Sequence, residues 1–230
     1  MIYAIGDIHG HRDRLTNLLA KLPLGPDDRL VFIGDYIDRG PDSPGVIEDL
    51  IALQGARPNT IFLRGNHEQM MLECRACCDP MFSVSHDIPC DKDDLWKSNG
   101  AAQTVGNYRQ RYGSGPWWEI IPWAHWKFLI ETQMEFREDG FIFVHAGIVP
   151  PGHRWSDPQD PRLWMREPFL SFRSDLGGTV VFGHSPQLSG KPLIQPNKVG
   201  IDTGCAFGGP LTAVGLHSPY QTSSVRIWQA

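Results

Sequence analysis

The chain has 230 residues, of which 41% are hydrophobic and 20% charged, and its formal net charge is −5. This length allows one sizeable hydrophobic core, so we expect a single domain over residues 1–230. The negative charge argues against nucleic acid or an anionic membrane as a partner. The apolar runs are shorter than the roughly 20 residues that a membrane helix needs. The odd count of five cysteines and the lack of a visible signal peptide predict a cytoplasmic protein.

The N-terminal third of the chain repeats one pattern three times: a short apolar strand, a charged turn and a helix. The strands are predicted at 2–5, 30–33 and 60–63, and the helices at 11–21, 43–54 and from 67 onward. Such alternation is typical of βαβ units with a mostly parallel sheet. The carboxyl ends of parallel strands lie at one edge of a sheet, so we expect the three charged turns to meet there.

The rest of the chain predicts more helices and a second sheet. Residues 78–99 are polar and irregular, which predicts a mobile surface loop, and 100–130 predict helices interrupted near Gly113. Later strands are expected at 130–136, 141–144, 179–182, 192–195, 198–201, 211–216 and 224–228, the first two of them paired as a hairpin. The predicted fold class is α/β: a two-sheet sandwich with mixed or parallel inner strands, flanked by helices.

Four tryptophans lie close together in the sequence between the predicted helices: Trp117, Trp118, Trp123 and Trp126. Packing in the core and between helices is the favoured interpretation, because large aromatic side chains dominate core energetics. The alternative is an exposed platform on which nucleobases stack. The choice matters for function, since a stacking platform would favour a nucleotide substrate.

Ligand-type side chains follow five of the predicted strands, each beside a glycine. They are Asp7, His9, Asp35, Asp38, Asn66, His67, His145 and His184. Each has an ordinary alternative, as a helix cap, a turn residue or a hydrogen-bonded structural histidine. Their joint occurrence at strand ends favours a metal site. Carboxylate, imidazole and amide oxygen suit Mn²⁺, Fe²⁺ or Zn²⁺. The set is too large for one ion but fits two ions that share a carboxylate.

The motifs that carry these residues resemble, in order, the motif set of the calcineurin-like metallophosphoesterases. They are Gly6-Asp7-Ile8-His9-Gly10, Gly34-Asp35-Tyr36-Ile37-Asp38-Arg39-Gly40, Arg64-Gly65-Asn66-His67-Glu68, His145-Ala146-Gly147 and Gly183-His184-Ser185. The second and third motifs resemble the phosphoprotein phosphatase branch. That branch includes bacterial and phage serine/threonine phosphatases and symmetrical diadenosine tetraphosphatases.

The resemblance implies a role for each matching residue. One metal would be held by Asp7, His9 and Asp35, and the second by Asp35, Asn66, His145 and His184. His67 would be the general acid, oriented by Asp38, with Arg39 and Arg166 on the phosphate oxygens. The implied cofactors are two divalent ions, Mn²⁺ first and iron or zinc as alternatives, and the implied step is attack on phosphorus by a hydroxide that bridges them. Arg64 is a weaker phosphate candidate, and Glu68 is interpreted as a helix N-terminal acid.

Four functional hypotheses follow. The first is a phosphatase acting on phosphoserine or phosphothreonine in proteins. The second keeps the chemistry but takes a dinucleoside polyphosphate, and the third is a non-catalytic scaffold. The fourth is a structural metalloprotein, which is disfavoured because a merely structural site would not need His67 and Asp38. The expected partner is therefore a phosphoprotein or a phosphorylated small molecule, with the oligomeric state left open.

Overall fold

The computed structural model describes residues 1–78, 91–218 and 225–230. Its first sheet has five strands: β1 Ile2–Ile5, β2 Arg29–Phe32, β3 Ile61–Phe62, β9 Thr212–Leu216 and β10 Arg226–Gln229. Their order across the sheet is β10-β9-β1-β2-β3. The strands β1, β2 and β3 are parallel, whereas β9 pairs antiparallel with β1 and β10 antiparallel with β9.

The second sheet also has five strands: β4 Glu135–Glu138, β5 Phe141–Val144, β6 Thr179–Phe182, β7 Leu193–Gln195 and β8 Lys198–Gly200. Their order across the sheet is β4-β5-β6-β8-β7. The inner strands β5, β6 and β8 are parallel, and the edge strands β4 and β7 are antiparallel to their neighbours. The second sheet thus has parallel inner strands and antiparallel edges, whereas the first sheet has three parallel strands on one side and two antiparallel strands on the other. Both sheets are mixed, with parallel strands among the inner ones, as predicted.

Successive side chains of a strand point to opposite faces of the sheet, and each face packs against a different layer of the fold. On β1, Ile2 and Ala4 belong to the apolar cluster shared by the two sheets, whereas Tyr3 and Ile5 belong to the cluster shared with the helices. This is the period of two expected for a strand buried on both faces. A third cluster, which includes Phe169 and Phe182, covers the outer face of the second sheet.

The helices are α1 Arg12–Lys21, α2 Ser43–Ala56, α3 Asn66–Cys78, α4 Asp91–Ser98, α5 Ala101–Tyr112, α6 Trp123–Glu131 and α7 Pro161–Trp164. Residues of α1, α2, α3, α5 and α6 contribute to the apolar cluster on the outer face of the first sheet. None of the helices in the described parts of the chain is both long and apolar enough to span a bilayer. The predicted α/β sandwich flanked by helices is confirmed.

Two elements differ from the sequence-based predictions. The expected loop at 78–99 contains helix α4 at 91–98, while residues 79–90 of that prediction lie outside the described residues. The expected strand at 130–136 starts only at Glu135, because α6 continues to Glu131. The apolar pattern 126, 129 and 130 follows the helical repeat and outweighs the strand propensity of these residues. The predicted hairpin is present, with Asp139 and Gly140 both at positive φ in its turn.

The tryptophan cluster is mostly a packing feature. Trp126 is buried, and its ring lies 6.0 Å from that of Trp117, which packs against Trp118 in turn. Trp123 is the exception, with 63% of its surface exposed. Core and helix packing therefore accounts for Trp117, Trp118 and Trp126.

Candidate metal centre

The predicted site residues converge at the carboxyl edge of both sheets. Turns after β1, β2 and β3 of the first sheet and after β5 and β6 of the second sheet meet there. The side chains brought together are all buried: Asp7, His9, Asp35, Asp38, Asn66, His67, His145 and His184. Burying so many ionisable groups in one place is costly unless a ligand or an ion compensates.

Backbone conformation marks the same place. Outside glycine, positive φ angles occur among the described residues at His9, Asp35, Asp38, Arg39, His184 and the hairpin residue Asp139. Left-handed conformations cost of order 1–3 kcal/mol each for such residues. Five of these six residues lie in the turns that build the candidate site. The strain is concentrated where the turns must direct their side chains into a common space.

Asp35 is the residue common to two clusters of metal-ligand type. One consists of His9, Asp35 and His67, and the other of Asp35, His145 and His184, with ligand atoms within 4.8 Å of one another. The Asp35 carboxylate lies 3.5 Å from His9 Nε2 through one oxygen and 3.4 Å from His145 Nε2 through the other. One carboxylate oriented toward two groups of ligands is the arrangement that a bridging ligand requires.

Asn66 extends the second cluster. Its side-chain oxygen lies 2.9 Å from His145 Nε2 and 3.0 Å from His184 Nδ1. The other ring nitrogen of His145 lies 3.0 Å from the carbonyl oxygen of Ile33, which fixes the ring orientation. In histidines that bind a metal through one ring nitrogen, a hydrogen bond at the other nitrogen commonly fixes the orientation of the ring.

Electrostatics divides the four buried histidines of the site into two groups. Burial lowers the pKa of His9, His145 and His184, which favours neutral imidazoles with a free electron pair. Burial also opposes protonation of His67, but the Asp35 and Asp38 carboxylates outweigh it and raise the pKa of His67. Burial likewise opposes ionisation of Asp35, but His145 and the other histidines around it lower the pKa of that carboxyl.

The site contains buried polar atoms that need a partner. Asp7 Oδ1 and His184 Nε2 have no hydrogen-bond partner among the described residues. Burial, followed by repulsion from Asp202 and Asp35, raises the pKa of Asp7 well above its usual value. A cation would satisfy both atoms and remove the repulsion among the carboxylates. The donor set of carboxylate, imidazole and amide oxygen therefore fits divalent metal ions.

His67 and Asp38 form a hydrogen-bonded pair beside this set. His67 Nδ1 lies 2.7 Å from Asp38 Oδ2, and both side chains are buried. His67 Nε2 faces Asp35, 3.9 Å from its Oδ2. One imidazole nitrogen of His67 is thus fixed by the Asp38 carboxylate, and the other is directed toward Asp35.

The two predicted arginines lie beside the site in different ways. Arg39 Nη1 lies 2.8 Å from His9 Nε2, and its guanidinium is 5.4 Å from the ring centre of Phe207. Arg166 is exposed and donates a 3.3 Å hydrogen bond to the carbonyl oxygen of His184. Arg64 instead bonds Thr132 and carbonyl groups at the end of α6, so it supports that helix end rather than the site.

Sequence reasoning underestimated Glu68. Its buried carboxylate accepts hydrogen bonds from the backbone N–H groups of Asp35, Tyr36, Ile37 and Gly65, at 2.8–3.3 Å. Burial and then the Asp35 carboxylate raise the pKa of Glu68 to about 7. The residue therefore fixes the turn that carries Asp35. This differs from the predicted role of an acid that only stabilises the N-terminus of its own helix. Its position beside the ligand-type residues in the third motif was the available signal.

Sequence reasoning also missed Trp96 and Thr104, which bond Asp38 from α4 and α5. Trp96 lies in the segment predicted as a loop. The available signal was the pair Leu95-Trp96, two large apolar residues in a polar stretch, which is typical of one buried helix face.

Comparison with known proteins agrees with this geometry. The sequence model of the family described as calcineurin-like phosphoesterase matches residues 1–211. The chain belongs to this family. Its fold and its clusters of histidine and aspartate are those of a metal-dependent phosphoesterase.

Individual relatives divide between two kinds of substrate. The chain is 30% identical to serine/threonine-protein phosphatase 1 of Salmonella typhimurium, over 92% of this chain and 89% of that protein. It is 28% identical to a symmetrical bis(5'-nucleosyl)-tetraphosphatase of Janthinobacterium, over 93% of this chain and 92% of that protein. The crystal structure of a putative diadenosine tetraphosphatase is similar in fold, with a TM-score of 0.58 at 22% identity, and the match covers 100% of this chain and 93% of that one.

Proposed function

We propose that the chain is a two-metal phosphoester hydrolase whose metals share Asp35. The observation that carries the proposal is the position of Asp35 in both clusters of ligand-type residues. Asp7 and His9 would complete the first metal site, and Asn66, His145 and His184 the second. Two divalent ions, with Mn²⁺ as the first choice and iron or zinc as alternatives, would supply an activated water and neutralise phosphoryl charge.

His67 acts as the general acid in this proposal. Its raised pKa, unlike the lowered pKa of the three other site histidines, favours a protonated ring that can release a proton to the leaving oxygen. Asp38 holds Nδ1, so Nε2 is the nitrogen that donates. Arg39 and Arg166, which approach the site from opposite sheets, bind phosphate oxygens through their planar guanidinium groups.

For the substrate we propose phosphoserine or phosphothreonine in proteins. The lengths of the alignments with the two kinds of relatives support this choice. The Salmonella protein phosphatase matches 92% of this chain in an alignment of 220 residues, whereas the symmetrical tetraphosphatase needs 273 residues to match 93%. The symmetrical tetraphosphatase thus has insertions that this chain lacks, and such insertions are where substrate specificity is commonly built. An asymmetrical tetraphosphatase matches 91% of the chain in 229 residues, so alignment length argues against the symmetrical enzymes only.

A dinucleoside polyphosphate is the second candidate. It is favoured by the number of tetraphosphatases among the relatives, both symmetrical and asymmetrical. Comparing the hydrolysis rates of a phosphoserine peptide and diadenosine tetraphosphate separates the two candidates. A kcat/KM at least tenfold higher for the peptide supports the first, and the reverse ranking supports the second.

The main test strips the protein of metal and restores Mn²⁺, with an aryl phosphate as substrate. We expect activity to return with metal, and we expect Asp35→Asn to lose both activity and most of the bound metal. In His67→Asn, metal content should stay while turnover of an alkyl phosphate falls about 10²–10⁴-fold, the usual contribution of a general acid. His153→Asn, at an exposed histidine, is the matched control and should behave as wild type. A folded, metal-loaded protein without activity on any of these phosphoesters would refute the proposal.

A further inference from the structure

The Asp38 carboxylate has three side-chain donors, of which His67 is only one. Oδ2 accepts hydrogen bonds from His67 Nδ1 at 2.7 Å and from Trp96 Nε1 at 2.8 Å. Oδ1 accepts a hydrogen bond from Thr104 Oγ1 at 2.6 Å. Both oxygens are therefore engaged, and the plane of the carboxylate is fixed by donors from three different helices.

Burial gives these bonds their importance. Asp38 is completely inaccessible, and Trp96, Thr104 and His67 are at most 1% exposed. A buried acceptor that loses a donor is left unsatisfied, which costs free energy and frees the group to turn. The indole N–H of Trp96 is a donor only, so the group it bonds can only be an acceptor. The bond from Trp96 therefore holds Asp38 Oδ2 in the orientation in which it accepts the Nδ1 hydrogen of His67.

The two additional donors are themselves held in place. The ring of Trp96 packs against Trp117, with ring centres 4.9 Å apart. Thr104 Oγ1 accepts a hydrogen bond from the backbone N–H of Asp38 at 2.9 Å and lies 3.1 Å from Ser43 Oγ. Asp38 has a φ of 69°, so this bond also supports a strained backbone. The donors thus belong to a packed wall behind the His67–Asp38 pair.

We propose that Trp96 is a positioning residue for proton donation by His67, acting through Asp38. This inference rests on the proposed function, because it assigns Trp96 a part in that reaction. Donation to the leaving oxygen matters most for an alkyl ester, whose alkoxide is a poor leaving group, and little for p-nitrophenyl phosphate. Loss of the indole N–H should therefore lower the hydrolysis rate of an alkyl phosphate more than that of p-nitrophenyl phosphate.

The first test replaces only the N–H group. Site-specific incorporation of 3-benzothienylalanine at position 96 keeps the ring shape and puts sulfur in place of the indole N–H. We expect turnover of a phosphoserine peptide to fall about tenfold, the size of one charge-assisted hydrogen bond, and turnover of p-nitrophenyl phosphate to change less than threefold. Trp96→Phe should show the same imbalance. Trp117→Phe, which changes the packing partner but not the donor, should leave the ratio of the two rates unchanged.

A second measurement needs no turnover. In ¹H–¹⁵N spectra of the wild-type protein, the Trp96 indole N–H should exchange slowly with solvent, and its signal should shift in Asp38→Asn. An equal loss on both substrates, or an indole signal unaffected by Asp38→Asn, would overturn the inference while leaving the proposed function intact. If wild-type protein with Mn²⁺ hydrolyses neither of these substrates nor diadenosine tetraphosphate, the proposed function fails, and this inference fails with it.

Discussion

Glu68 and Lys198 hold two irregular segments of the molecule by opposite means. The Glu68 carboxylate collects four backbone N–H groups around the turn that carries Asp35. Lys198 is a buried residue of strand β8. Its ammonium group donates to the carbonyl oxygens of Phe169 and Phe172 and lies 3.5 Å from that of Leu170. An acceptor group thus stabilises one segment and a donor group the other, each by satisfying backbone groups that lack a regular partner.

The two segments differ in what they carry. The turn beside Glu68 holds Asp35 and Asp38, which lie at the buried centre of the site. The segment beside Lys198 follows Arg166, whose carbonyl oxygen accepts a hydrogen bond from Leu170 N–H. Phe169 of this segment packs against Phe182 at the end of β6. We therefore expect Glu68 to affect the proposed metal ligands directly, and Lys198 to affect chiefly the stability of the outer layer.

The largest effect is expected from Glu68→Gln. A glutamine has one acceptor oxygen and turns an NH₂ group toward N–H groups that need an acceptor. Leaving buried N–H groups unsatisfied costs about 1–3 kcal/mol each, so we expect the free energy of unfolding to fall by about 2–4 kcal/mol. Bound metal should fall as well, because the Asp35 turn loses its support. Denaturant unfolding and metal analysis check both.

Glu119→Gln is the matched control, since Glu119 is exposed. It should leave both quantities unchanged. If Glu68→Gln retained full stability and metal content, the carboxylate would not be the group that fixes this turn, and the contrast with Lys198 would disappear.

A smaller effect is expected from the titration of Lys198. Burial lowers the pKa of this ammonium to about 8, from its usual 10.5. Between these values the unfolded chain binds the proton and the folded chain releases it, so stability rises with pH across the window from 8 to 10.5. We expect a gain of roughly 1–2 kcal/mol, less than the full shift would give, because the carbonyl oxygens favour the charged form.

Unfolding curves of wild type and Lys198→Met across this pH range isolate that contribution. The methionine variant cannot titrate at position 198, so the difference between the two proteins should grow in favour of wild type as the pH rises. A constant difference would mean that Lys198 keeps its proton throughout, bound by the three carbonyl groups.

The smallest effect is expected from Gly106→Ala, which tests helix α5 without touching either segment. A Cβ at Gly106 would meet nothing within 4 Å. Alanine should therefore stabilise the protein by about 0.5–1 kcal/mol through helix propensity. Catalytic rates should stay the same even though α5 carries Thr104. A change in rate would show that helix stability, and not the individual hydrogen bonds, controls the Asp38 pair.

The sequence predicted the helices and strands whose apolar residues recur with a clear helical or strand period. Strand β1 has the predicted bounds, and the helix at 43–56 extends the predicted one by two residues. Ligand-type residues were found because they follow apolar strands directly. The weaker predictions concerned polar stretches, where helix α4 was read as a loop, and the end of α6, where helix and strand patterns overlap.

By itself, the sequence determined which groups are available for chemistry and which edge of the sheets carries them, because residues that end parallel strands must share one edge. Only the tertiary structure decided how those groups are supported. Trp96, Thr104, Glu68 and Lys198 act through contacts between elements far apart in the chain, and no local pattern specifies which backbone group or carboxylate a buried donor or acceptor will reach. That choice depends on packing, which satisfies buried polar groups only after the layers have come together.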